Sequence, residues 1–213
     1  MGTTTVDAPF GLRPHSILGS APNSMGTRPY VVQSSGTAGS SSAIYQGDIV
    51  KALTNGLVDV CGSDGDCGAT AAIGVMAGCE YINNNGEPVF DNNYPGAASV
   101  KDNTQAIIHV YDNPFQIFEI QCDASLTDNA TGTALIFSNA EGTGFGSQTG
   151  STGISTGELS VTTAGATTTD DAFRIVGFRD HLDNLLGSDD LTTAGVIALV
   201  TLNAHAYLQT TGL

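Results

Sequence analysis

Charge is scarce in this chain, and positive charge is scarcest. Only 13% of the 213 residues are Asp, Glu, Lys or Arg, roughly half the usual ~25%. Six basic residues, with Lys51 and Lys101 the only lysines, face 21 acidic ones, a formal net charge of −15. Nucleic-acid affinity comes mainly from Lys and Arg displacing counterions from phosphate, so direct binding of DNA or RNA is excluded. An anionic membrane surface is disfavoured for the same reason. No apolar run reaches the ~18 residues of a transmembrane helix, so no membrane partner is expected. The opening MGTTTVDAPFG lacks the basic and apolar regions of a signal peptide. Val6 breaks the myristoylation pattern. Synthesis in the cytosol is the expectation.

Motifs that announce chemistry are missing too. GxSxG, HExxH, a P-loop and a GxGxxG opening a helix do not occur. Gly142-Thr143-Gly144-Phe145-Gly146 is glycine-rich but lacks the strand and helix of a phosphate cradle. His15, His109, His181 and His205 lie far apart, and His109 reads as an ordinary strand histidine. With five glutamates in the chain, a glycosidase pair of carboxylates is not favoured. The chain is expected not to be an enzyme, and to need no cofactor.

Cys61, Cys67, Cys79 and Cys122 lack the paired spacing of a zinc site. Cys61 and Cys67 bracket the turn GSDGD within reach of each other, but four small buried thiols is the preferred reading. Asp64 and Asp66, with Asp59 nearby, resemble half a calcium loop, yet the full EF-hand spacing is not met. A second acidic group, Asp180, Asp183, Asp189 and Asp190, reads like the first as a solvated turn. No metal site is expected.

What is present is β-forming sequence. The central stretch is QAIIHVYDNPFQIFEIQC, Gln105 to Cys122. Two runs of β-branched and aromatic residues flank Asp112-Asn113-Pro114. Phe118, Ile120 and Cys122 share one face, and Glu119 and Gln121 the other, the period of a half-buried strand. The pair reads as a hairpin at the heart of the domain. Asn55-Gly56 and Asn83-Asn84-Asn85-Gly86 mark two further tight turns. Ala71 to Ile82 reads as one bent strand or two, with Gly74 and Gly78 as bulges or close backbone approaches. Ala124 to Thr131 is a polar connection with at most one helical turn, and Thr133 to Phe137 a short strand. Asn139 to Gly157 is a long Gly/Ser/Thr loop, a kind that is usually functional or mobile. Glu158 to Thr162, Phe173 to Phe178 and Val196 to Ala204 are strands, the last apolar enough to be buried on both faces. Tyr45, Tyr81, Tyr94 and Tyr111 suit either a sugar-binding face or core and rim positions.

Roughly eight to eleven short strands spaced by turn signals, with no helix of three turns, imply an all-β fold. The expected architecture is an antiparallel β-sandwich or barrel, jelly-roll-like, with an extended N-terminal arm. Residues 1–43 carry Pro9, Pro14, Pro22 and Pro29 and end in SSGTAGSSS, which reads as an arm and linker; residues 44–213 form the β-domain. The arm either reaches a neighbouring subunit or adds a strand to its own sheet. If it meets a partner, the contact residues are Phe10, Leu12, Arg13, Pro14, Arg28 and Tyr30.

The opening FGLRPHSILGSAPNS, the segment GDIVKAL at Gly47 to Leu53, IGVMAGCEYINNNGEPVF at Ile73 to Phe90, and YDNPFQIFEIQCD at Tyr111 to Asp123 together span most of the chain. With the closing Asn203 and His205, they resemble small head proteins of tailed bacteriophages of aquatic bacteria. The resemblance implies a capsid decoration, or cement, protein: a β-rich homotrimer on the capsid exterior, assembled in the host cytoplasm, that bridges subunits of the major capsid protein and stiffens the shell. The alternative is a carbohydrate-binding or receptor-binding β-domain of a phage fibre or surface protein.

Overall fold

Fifteen strands appear in the computed structural model, which describes residues 7–19, 26–67, 71–126, 129–162, 171–179 and 195–209. In chain order they are β1 (Arg13–Ile17), β2 (Arg28–Gln33), β3 (Ile44–Tyr45), β4 (Ile49–Ala52), β5 (Val58–Val60), β6 (Ala72–Ile82), β7 (Pro88–Asp91) and β8 (Asn93–Tyr94). There follow β9 (Ala106–Tyr111), β10 (Gln116–Gln121), β11 (Asn139–Ala140), β12 (Gly142–Thr143), β13 (Glu158–Leu159), β14 (Phe173–Phe178) and β15 (Ile197–Leu202). One short helix, α1 (Asn129–Leu135), interrupts them. The first sheet has the order β1-β10-β15-β14-β11 and the second β2-β9-β6-β4-β5, with β7 paired to the far half of β6. Every ladder between these strands is antiparallel. The fold is the all-β sandwich that the turn spacing implies.

Alternation along the strands assigns two cores. Phe118, Ile120, Phe173, Ile175, Ala198 and Val200 of the first sheet pack on Ile49 and Val75 of the second. The opposite face of the second sheet carries Val50, Ile73, Met76, Ile108 and Val110, covered by Val32, Ile44, Tyr94 and Val100. Its outer strands β2 and β5 approach each other, so this sheet curls around the second core as a partial barrel. Each large aliphatic or aromatic side chain so buried contributes about 1.5–3 kcal/mol.

Turn chemistry sets the hairpins. Gly56, at φ 79°, donates to the Leu53 carbonyl between β4 and β5. Gly86, at φ 87°, closes the turn between β6 and β7 on the Asn83 carbonyl. Register shifts in β6 fall beside Gly74 and at Gly78. A Cβ at Gly74 would lie 2.1 Å from the Tyr111 carbonyl oxygen, so this close approach needs glycine.

Five sequence expectations need correction. The stretch 106–121 is not a hairpin: β9 belongs to the second sheet and β10 to the first. The turn at Asn113, whose carbonyl accepts from the Gln116 amide, carries the chain between layers. Periodicity shows which face of a strand is apolar, not which layer covers it. Thr133 to Phe137 is not a strand: α1 takes in Thr133 to Leu135, and the chain then turns at Ile136 and Phe137, the latter at φ 72° and 80% exposed. β15 is buried on one face only, with Ala198, Val200 and Leu202 inward. Cys61 and Cys67 form a disulfide, leaving Cys79 and Cys122 as free buried thiols. The segment 139–157 is held in place: Phe145 packs on Phe173, ring centroids 5.9 Å apart, and the Gly142 and Phe145 amides donate to carbonyls of the disulfide loop, Asp64 and Ser63. Of the arm drawn at 1–43, the described parts supply β1 and β2, each an outer strand of its sheet.

Asp48 fastens these parts together. It is fully buried. Its Oδ2 accepts from the Tyr45 amide at 2.8 Å, and its Oδ1 from the Gly146 amide at 3.0 Å and the Ser155 hydroxyl at 2.6 Å. Its carbonyl accepts from Met76 of β6, and that of neighbouring Gly47 from Leu12, each within 3.0 Å. Burial pushes the Asp48 carboxyl above its ordinary pKa, and the three hydrogen bonds pull it back. Replacing Asp48 by Ala leaves the Tyr45 amide and the Ser155 hydroxyl without their acceptor, at about 1–3 kcal/mol each. Asp48→Ala is therefore expected to lower the melting temperature by roughly 10 °C in thermal unfolding followed by circular dichroism. A fall of less than about 2 °C would contradict the role given to this residue.

Candidate interaction site

The Phe10–Pro14 segment enters the fold alongside Gly47. Leu12 donates its amide to the Gly47 carbonyl at 3.0 Å. Its side chain, 2% exposed, is part of the first core, so Leu12 anchors the segment from inside and offers no surface. Arg13 and Pro14 sit in β1 opposite Glu119 and Phe118 of β10. The Arg13 guanidinium lies over the Phe10 ring, 3.9 Å from its centroid, a cation–π contact. Phe10, Leu12, Arg13 and Pro14 line a cavity of about 150 Å³ with Gln46, Met76, Tyr111 and Ile154.

Arg28 and Tyr30, in β2, belong to a second group. Arg28 Nε lies 3.1 Å from Asp112 Oδ2, and the Tyr30 hydroxyl donates to the same oxygen at 2.8 Å. Arg28 Nη1 also donates to the Tyr207 hydroxyl at 3.1 Å, and the Tyr30 and Tyr207 hydroxyls are hydrogen-bonded. The Tyr207 amide donates to Nδ1 of buried His205 at 3.2 Å, which places that ring's proton on Nε2. Burial, then Tyr207 and Asp112, raises the Tyr30 pKa, so its phenol stays protonated. Asp112, followed by Tyr207, raises that of Arg28. The cluster holds the turn Ala206–Leu208 against β2.

The six arm residues thus divide between two groups on either side of the corner Tyr111-Asp112. Sequence reasoning missed Asp112 and Tyr207. Asp112 was legible as the first residue of the Asp-Asn-Pro break; Tyr207 carried no local signal, because the partners of its hydroxyl, Arg28 and Tyr30, lie 179 and 177 residues away in the chain.

The other candidates scatter. His15 Nδ1 lies 2.9 Å from Glu119, which also accepts from Arg179 at 3.2 Å. His109 lies 3.8 Å from Glu80. His181 and the acidic group at Asp180, Asp183, Asp189 and Asp190 lie outside the described residues. Asp64 accepts from the Asp66 amide within the disulfide loop, and among the described residues no three His, Cys, Asp or Glu side chains converge as metal ligands. Tyr81 and Tyr94 pack on the second core and Tyr111 on the first, so the tyrosines do not make one sugar-binding face. Burial, with Asp91 beside it, pushes the Cys79 thiol up to about 12, an unreactive state. A polar cavity of about 260 Å³ is lined by Gln33, Ser34, Thr37, Asp102 and Asn103. Gln33 donates to the Lys101 carbonyl at 3.3 Å, while its buried Oε1 has no partner.

Two predictions follow from this geometry. Arg28→Ala removes the cation that links Asp112 to Tyr207, and is expected to raise amide exchange at 206–209 about tenfold while strands β9 and β15 stay protected; unchanged tail exchange would refute the latch. Glu158, beside Asp7 and Asp123, is pushed up to about 7, first by burial and then by those two carboxylates. A raised acid favours the folded state while protonated, so this contribution is present below about pH 4.5 and lost as pH rises through about 7. Glu158→Gln should therefore melt higher than the native protein at pH 8 and level with it at pH 4; equal melting temperatures at both values would refute the shift.

No protein-family model, curated protein or solved structure matches this chain.

Proposed function

We propose that this chain is a structural virion protein, a capsid decoration or cement protein that sits on the outside of a phage head as a homotrimer, binds the major capsid protein and carries out no catalysis. The observation that carries this reading is the exposure of large apolar side chains on a strongly acidic molecule. Leu18, Phe90, Phe115, Phe137, Tyr207 and Leu208 are each at least half exposed. Leu18 and Phe115 adjoin, the Leu18 amide donating to the Phe115 carbonyl at 2.8 Å. Side chains of this kind, at several separate places, suit a subunit with several neighbours. The acidity suits a surface that faces water rather than packaged DNA.

The sequence blocks behind the phage resemblance are scaffold. Phe10 to Pro14 and Gly47 to Leu53 meet at the Leu12–Gly47 hydrogen bond, with Asp48 beneath. The N-terminal contact residues are therefore tested by surface substitution, since removing residues 2–33 would strip both sheets of an outer strand. A second reading, a carbohydrate-binding or receptor-binding domain, is favoured by the polar cavity at Gln33 with its unpartnered acceptor; soluble glycans that raise the melting temperature would support it.

The deciding measurement is co-sedimentation of the purified protein with heads assembled without it. The expected result is binding at a fixed stoichiometry and a higher melting temperature for the decorated head. A protein that stays monomeric and leaves heads unoccupied would overturn the proposal.

A further inference from the structure

His205 is buried, 1% exposed, where the chain leaves β15 for the turn Ala206–Leu208. Its backbone pairs with Ala72 at the start of β6. Three hydrogen bonds shape the turn. The Tyr207 amide donates to Nδ1 of the His205 ring at 3.2 Å, and the Leu208 amide to the His205 carbonyl at 3.0 Å. The Gln209 amide donates to the Ala206 carbonyl at 3.3 Å. The His205 and Tyr207 rings lie against each other, centroids 5.6 Å apart. Through its hydroxyl Tyr207 then reaches Arg28 and Tyr30 of β2. The His205 ring is therefore the inner support of the latch that ties this turn to β2.

Of the three bonds, only the one to Nδ1 depends on a proton, because that nitrogen accepts only while the ring is neutral. A proton added there faces the Tyr207 N–H, donor against donor. Nε2, which carries the neutral ring's proton, is buried and makes no hydrogen bond. A protonated ring in this position would be a buried cation with two donors and no close acceptor, a costly arrangement. Among the described residues, the carboxylate that acts on the ring is Asp112, at the corner between β9 and β10. Its Oδ2 is already engaged by Arg28 and Tyr30, the cation and the phenol that β2 brings to the cluster. The turn itself adds the Tyr207 phenol, and β6 adds the Ile73 carbonyl, which favours the charged ring as Asp112 does. Burial outweighs both and holds the ring below its ordinary 6.5.

We propose that His205 makes the latch acid-sensitive: protonation of its ring releases the turn Ala206–Leu208 and frees the Arg28 and Tyr30 side chains from Tyr207. Released, the ring meets water and takes up a proton near its ordinary 6.5, whereas docked it does so only at lower pH. The docked turn is thus fully favoured above about pH 6.5 and loses ground as the pH falls below it. This switch does not rest on the decoration reading.

The test follows amide exchange of the full chain by NMR at pH 7.5 and pH 5, each rate divided by its intrinsic rate at that pH. Protection at residues 207–209 is expected to fall about tenfold at the lower pH, while β9 and β15 keep theirs. His205→Asn puts an amide oxygen where Nδ1 stands, an acceptor that takes up no proton. Its protection at 207–209 should change less than about twofold between the two conditions. Equal protection of the native protein at both pH values overturns the proposal. So does a His205→Asn variant that loses protection as the native protein does, since Asp112 or another histidine is then the group that titrates. If exchange in β9 and β15 shows that the variant is unfolded, the native protein decides alone. The titration midpoint of the His205 ring resonances must then coincide with that of the loss at 207–209, and separate midpoints overturn the proposal.

Discussion

A carboxylate withdrawn from water must find donors inside the protein or lose its charge. Asp48 finds three, on Tyr45, Gly146 and Ser155, and the layout of one end of the molecule follows from meeting that demand. The loop 139–157 contains no long apolar run, yet it is held because Gly146 and Ser155 serve Asp48 while Phe145 enters the first core. The segment Phe10–Pro14 is held because Gly47, next to Asp48, turns at φ 95° and offers its carbonyl to Leu12. Glycine is required on the other side of that contact as well: a Cβ on Gly11 would sit 2.7 Å from the Ser155 Cβ. One buried acid therefore joins segments that are about a hundred residues apart.

The second constraint is that the second sheet is apolar on both faces. One side is shared with the first sheet and the other forms a core of its own. This accounts for the long apolar run of β6, where Ala72 to Met76 are all buried. It also creates the exposed region. The first sheet covers the near end of β6 and β9 but not the hairpin of β6 and β7, so apolar residues chosen for a covered face emerge into solvent. Exposure of this kind does not stabilise the fold.

Much of this was legible. The Asn-Gly turns were readable because a positive φ is a local demand that few residues meet. The glycines within β6 were readable as bulges for a similar reason. Strand existence followed from β-branched runs. The failures have separate physical causes. β9 and β10 read as a hairpin because they are adjacent and alike, while their assignment to different layers depends on which core each meets. The helix α1 was missed because Thr and Gly in Asn129–Leu135 give a weak local preference. The importance of Asp48 was hidden in an unremarkable Gly-Asp pair. Of the arm residues, Leu12 proved to be core, while Arg28 and Tyr30 form a polar cluster with two residues from distant segments.

Composition and local pattern thus determined the class of structure, the places where the chain turns, the strongly acidic charge balance, and which side chains avoid water. These are properties of short windows or of sums over the chain. The tertiary structure alone decided which strands are neighbours, that Cys61 meets Cys67, that one aspartate organises three loops, and that Phe90 stands exposed on the hairpin of β6 and β7. Each of those depends on contacts between residues far apart in sequence, and alternation by two specifies the side of a strand without naming what lies across from it.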